Sequence, residues 1–113
     1  MKKFMALYTG SARPDGKPPV ISDADRAAGG AAWGAWMQKY AGRIVDMGGP
    51  LGTTKKVGPG GITDIRNNLA AYVIVEAESH DEAARMFEGH PHFTIFPGDS
   101  VEIMECKPIP GAG

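Results

Sequence analysis

The segment GHPHFTIFPGDS, Gly89 to Ser100, carries His90 and His92, two of the chain's three histidines, with Pro91 between them and Asp99 seven residues beyond His92. An imidazole titrates near neutral pH, so two of them on a proline-stiffened turn can serve as acid and base. A carboxylate such as Asp99 can orient one of the rings. The same residues also suit plainer work. His90 can hydrogen-bond the last carbonyls of a preceding helix, His92 can cap a strand, and aspartate is at home in a turn such as FPGDS. Two imidazoles are too few for a structural zinc site, and Cys106, the single cysteine, has no thiol neighbour, so no metal is expected.

Aromatic residues form the second constellation. Trp33, Trp36, Tyr40 and Met47 recur at helical spacing, which suits either core packing or the wall of a ligand cleft between a helix and a sheet. Tyr8 and Tyr72, in strand-like segments, can supply a hydroxyl to such a pocket. The glycine-rich stretches GGPLG and GPGG lack the spacing of a phosphate cradle and read as turns, so no cofactor is expected. Two functions fit these residues. One is cofactor-free acid/base chemistry on a small organic molecule, an elimination or isomerisation, with His92 or His90 as base and Asp99 as orienter. The other is a non-catalytic binding or accessory module.

The totals exclude several classes. A chain of 113 residues has the length of one domain, because two separate cores would each be too small to offset the ordering entropy. Hydrophobic residues at 42% and charged residues at 22% point to a packed, water-soluble domain. A net charge of −1 with no long basic run gives no field to attract nucleic acid. No apolar run approaches the roughly 18 residues of a membrane span, and MKKFMALYTG reads as a first strand, not a signal peptide. One cysteine fits a cytoplasmic location.

These residues need elements to position them. KFMALYT, residues 3 to 9, is apolar on both alternating faces, as in a strand covered on both sides. GSARPDGKPPVIS then reads as an irregular loop ending at Ser22, a helix N-cap followed by Asp23 and Asp25. The spacing of Trp33, Trp36, Met37, Tyr40, Ile44 and Met47 predicts one helix from Asp23 to about Met47, stopped by MGGP. LGTTKKVG is the next strand candidate and PGGITDIRNN a hairpin loop. LAAYVIVEA, residues 69 to 77, is the strongest strand signal and belongs at the sheet centre. Ser79 and Glu82 form a capping box for a second helix that stops at Gly89. SVEIMECKPI is the last strand, and PIPGAG an extended or frayed tail.

The order β-α-β-β-α-β predicts an α+β, ferredoxin-like fold with a four-stranded antiparallel sheet and two helices on one face. The other face is then bare and apolar, and a second copy packed face to face would cover it, so a homodimer is expected. GGPLGTTKKV, AAYVIVEAESHDEAARMFEGHPHF and SVEIMECKPIPG together resemble the YCII-related proteins, including the branch named for its DGPF motif. The resemblance runs from residue 3 to residue 111 and implies the dimeric α/β barrel fold. The chain departs from the family in two places. Gly48-Gly49-Pro50-Leu51 stands where the name motif has Asp-Gly-Pro-Phe, and no histidine precedes His80, although some members carry one soon after the first strand, paired with an aspartate. That pair is therefore not carried over, and the resemblance implies a fold and a pocket without an assigned activity.

Overall fold

A computed structural model describes residues 1–10 and 20–111. Its elements are Lys2–Gly10 (β1), Asp23–Lys39 (α1), Ile44–Pro50 (β2), Thr54–Gly58 (β3), Gly61–Ile65 (β4), Leu69–Ala77 (β5), His80–Arg85 (α2), Pro91–Thr94 (α3) and Gly98–Glu105 (β6). Four strands form an antiparallel sheet in the order β2-β5-β1-β6, which is the ferredoxin-like arrangement with β5 and β1 at the centre. The expected loop from Gly10 to Ser22 lies, over residues 11–19, outside the described residues, as do Ala112 and Gly113 of the tail. Among the described residues, no helix is long and apolar enough to cross a membrane.

The core lies between the sheet and the helices. Phe4, Ala6 and Tyr8 of β1 and Val73, Val75 and Ala77 of β5 are buried against Trp36, Ala83, Met86 and Phe87. Alternation places these strand residues on one face, and each large apolar side chain so buried contributes roughly 1.5–3 kcal/mol. Met5, Leu7 and Ile74 point to the opposite face and are half-buried among one another, beside Met104, which is 41% exposed. No described helix packs on that side.

α1 starts where expected. The Ser22 side chain accepts a hydrogen bond from the Asp25 amide at 3.0 Å, and Asp23 and Asp25 sit in the first turn. The helix ends at Lys39, however, and does not run to Met47. The chain turns through Tyr40 to Arg43 and enters β2, where Ile44 pairs with Val75 and Asp46 with Ile74. Ile44 stands four residues after Tyr40, so it continues the helical stripe in spacing, while its β-branch suits the strand it occupies.

The second strand of the main sheet is therefore Ile44–Pro50, and not the LGTTKKVG segment. Among the described residues Thr54–Gly58 pairs with Gly61–Ile65 alone, in a separate two-stranded sheet that exposes Val57 by 75% and Ile62 by 68%. The glycines and proline that read as a helix stop are tolerated in β2 because it is an irregular edge strand, with register shifts on both sides of Asp46.

The second expected helix is also shorter. The Ser79 Oγ accepts from the Glu82 amide at 3.1 Å, and the Glu82 carboxylate accepts from the Glu78 amide at 3.1 Å and pairs with Arg43. α2 ends at Arg85, the chain bends through Met86 to Gly89, and a further short helix, α3, opens at Pro91. Pro91 fits the first helical position, where its missing N–H costs nothing.

Candidate functional site

A cavity of about 340 Å³ lies between α1, the β2 edge and the helix-facing side of β1 and β5. Of the aromatic residues singled out from the sequence, Tyr8, Trp33 and Tyr72 line it. Trp36 and Tyr40 do not. Trp36 is buried toward α2, where its indole N–H donates to the Met86 carbonyl at 2.7 Å, and Tyr40 packs on it with ring centroids 5.3 Å apart. Met47, singled out with them for such a wall, lines it as well; the rest comes from apolar residues not singled out for this role, chiefly Phe96, Pro50, Ala71 and Val73, and among the described residues no charged side chain lines the cavity.

Phe96 reaches the cavity from the bend between α3 and β6 by crossing close over α1. A Cβ built on Gly29 would lie 2.5 Å from the Phe96 ring, so only glycine lets that ring approach the helix. The Phe96 and Trp33 rings stand 5.9 Å apart at 63°, an edge-to-face arrangement. A glycine inside the apolar stripe of a helix is the sequence signal for this close approach.

His90 and His92 meet directly behind this wall. Both are buried, and both rings lie 5.1 Å from the Tyr8 ring. His90 is the N-cap of α3, and its Nδ1 accepts a hydrogen bond from the His92 backbone amide at 3.0 Å. Its Nε2 lies 3.2 Å from the Tyr8 hydroxyl oxygen. The His92 Nε2 donates to the Thr9 carbonyl at 2.7 Å, since a carbonyl can only accept. A Cβ on Gly98 would collide with the His92 ring and carbonyl, so that glycine makes room for the imidazole.

These contacts fix the chemistry of His90. Its Nδ1 lone pair is occupied by an amide proton, so the neutral ring carries its own proton on Nε2. Burial, with a smaller contribution from His92, pushes its pKa down to about 4. The ring is thus neutral at physiological pH and donates to Tyr8. With its acceptor nitrogen engaged by the backbone, His90 has no lone pair free to abstract a proton from a ligand. Burial likewise pushes the Tyr8 phenol above its ordinary range, so Tyr8 stays protonated.

Asp99 sits at an exposed position at the start of β6, and among the described residues no hydrogen bond joins it to either histidine. The structure brings His90, His92 and Tyr8 together and leaves Asp99 apart. Among the described residues there is no cluster of three or more His, Cys, Asp or Glu side chains able to hold a metal ion.

No protein-family model matches the chain, and no curated protein does. Among solved structures it is similar to 5-chloro-2-hydroxyhydroquinone dehydrochlorinase from Burkholderia phenoliruptrix AC1100 in complex with 2,5-dihydroxybenzoquinone, at 26% sequence identity. The match covers 93% of each chain with a TM-score of 0.55. The α+β, ferredoxin-like architecture of this chain is thus shared, along nearly its whole length, with an enzyme that handles a small ring compound.

Proposed function

We propose that the chain is a YCII-related protein that binds a small organic molecule in the cavity walled by Tyr8, Trp33 and Phe96. The observation that carries this reading is the cavity itself: about 340 Å³, aromatic-walled and without a charged side chain among the described residues, with one deeply buried phenol lining it. Such a space is large enough for a substituted ring, and apolar walls with few polar groups are the usual make-up of a ligand site. The likeness to a ring-processing enzyme along 93% of the chain supports it. We also propose that the sheet face opposite the helices, with Met5, Leu7, Ile74 and Met104, packs against a second copy.

The test uses 2,5-dihydroxybenzoquinone as the first probe and thermal unfolding as the readout, because a ligand that binds only the native state raises the midpoint by mass action. Ala71→Phe fills the cavity and abolishes the shift. An equal shift in the filled variant places the binding elsewhere and overturns the reading.

The neighbour's name favours a catalytic second reading, a cofactor-free elimination or isomerisation. In it the Tyr8 hydroxyl hydrogen-bonds a ligand oxygen as negative charge develops there. It predicts turnover of a halogenated hydroxyquinol that falls at least about a hundredfold in Tyr8→Phe. Unchanged turnover removes Tyr8 from the chemistry, and no turnover leaves the binding module.

A further inference from the structure

Tyr8 is 2% exposed, and its hydroxyl oxygen has one hydrogen-bond partner among the described residues, the Nε2 of His90. The direction of that bond follows from the other side of the imidazole ring. The His92 amide donates to the His90 Nδ1, so the His90 proton must sit on Nε2, and the Tyr8 oxygen is the acceptor. The hydroxyl's own proton is therefore not used by His90, and no described atom accepts it. A buried donor without a partner costs about as much as a lost hydrogen bond, and Tyr8 lines a cavity where a partner can enter.

We infer that the cavity selects ligands carrying an oxygen acceptor, a carbonyl or enolate-type oxygen on an unsaturated ring, which takes the proton of the Tyr8 hydroxyl. The inference rests on the cavity being a binding site and adds the polarity of that site. Three groups act in sequence: the His92 amide donates to His90, His90 donates to Tyr8, and Tyr8 donates to the ligand. Every link points toward the cavity, and each donor is made stronger by the bond it accepts. An amine or cation finds no counter-charge among the described lining residues, none of which is charged. The rings of Trp33 and Phe96 suit a flat ring beside the acceptor.

Two measurements test it. The first needs no ligand: nitrogen-15 NMR of the native chain's imidazole rings gives His90 as a single Nε2–H tautomer between about pH 5 and pH 9. The second is calorimetric titration of acetophenone and α-methylstyrene, which share a shape and differ by C=O against C=CH₂, into the native chain and Tyr8→Phe. The preference for the ketone over the alkene falls about five- to tenfold in Tyr8→Phe. An Nδ1–H or averaging His90, or a preference unchanged in the variant, overturns the inference and leaves the binding reading intact. Failure of both probes to bind the native chain removes the binding reading and this inference with it. If Tyr8→Phe does not fold, the tautomer of the native chain decides.

Discussion

The Nε2 of His90 lies 3.2 Å from the hydroxyl oxygen of Tyr8, although the two residues are 82 positions apart in the chain. β1 sets Tyr8 on the helix-facing side of the sheet, and the N-terminus of α3 sets His90 beside it. Two groups that titrate in water are here held neutral by burial, with their protons assigned by geometry. In this arrangement His90 is placed to donate to the Tyr8 oxygen, and the Tyr8 proton is left to point elsewhere.

That neutrality makes stability depend on pH. The folded-state pKa of His90 is lowered to about 4 against an ordinary value of 6.5, so between these limits the unfolded chain binds more protons than the folded one. Stability then rises with pH. His90's contribution is complete above about pH 6.5 and is lost as pH falls toward about 4, amounting to about 2 kcal/mol once solvent screening is allowed for. Urea unfolding of the native chain across this window shows the slope, and His90→Leu flattens it. An equal slope in the variant assigns the effect to other groups, while a fall that steepens only below about pH 4.5 belongs to carboxyls such as Glu82, held below its usual range by Arg43.

Removing the His90 ring also lowers stability at neutral pH. His90→Leu leaves the His92 amide and the Tyr8 oxygen without their partner, each a buried polar group worth about 1–3 kcal/mol. A loss of about 2–4 kcal/mol at pH 7 is the expected outcome in urea unfolding, because the two costs overlap at one side chain. A loss under about 0.5 kcal/mol would mean that the donor chain is not formed in solution.

The sequence shows the sheet centre well and the sheet edge poorly. β1 and β5 announce themselves by alternation and by β-branched residues, because both are paired on two sides and packed on the core. β2 contains Gly48, Gly49 and Pro50, which mark a stop by any local rule, and only pairing with β5 makes a strand of them. For the site, Tyr8, Trp33 and Tyr72 are visible as residue types. The roles of the histidines are not, since a tautomer fixed by a turn and a partner from β1 is a three-dimensional fact. Phe96 is hidden in what reads as a linker, and its only trace is the glycine it requires across the gap in α1.

Gly29 tests that trace. Alanine there gains about 1 kcal/mol of helix propensity, yet its methyl would stand 2.5 Å from the Phe96 ring and displace it. Overpacking of this kind costs about 1–3 kcal/mol, so Gly29→Ala lowers the unfolding midpoint despite the better helix former. Phe96→Leu removes the far side of the clash, and the double variant recovers the helix gain relative to Phe96→Leu alone. If Gly29→Ala is more stable than the native chain, Phe96 does not pack on α1.

The bare sheet face gives a last prediction. Met104 is 41% exposed in the single chain, so a charge at that position costs an isolated subunit little. Between two apposed sheets the same charge would be stripped of water beside Met5, its partner across β1 and β6. Light scattering on a sizing column is expected to give twice the single-chain mass for the native protein and the single-chain mass for Met104→Glu, with unchanged circular dichroism. A native protein that elutes at the single-chain mass rules out the pairing. A Met104→Glu variant that stays at twice that mass moves the interface to another surface, for which the exposed Val57 and Ile62 of the β3–β4 hairpin are the next to substitute.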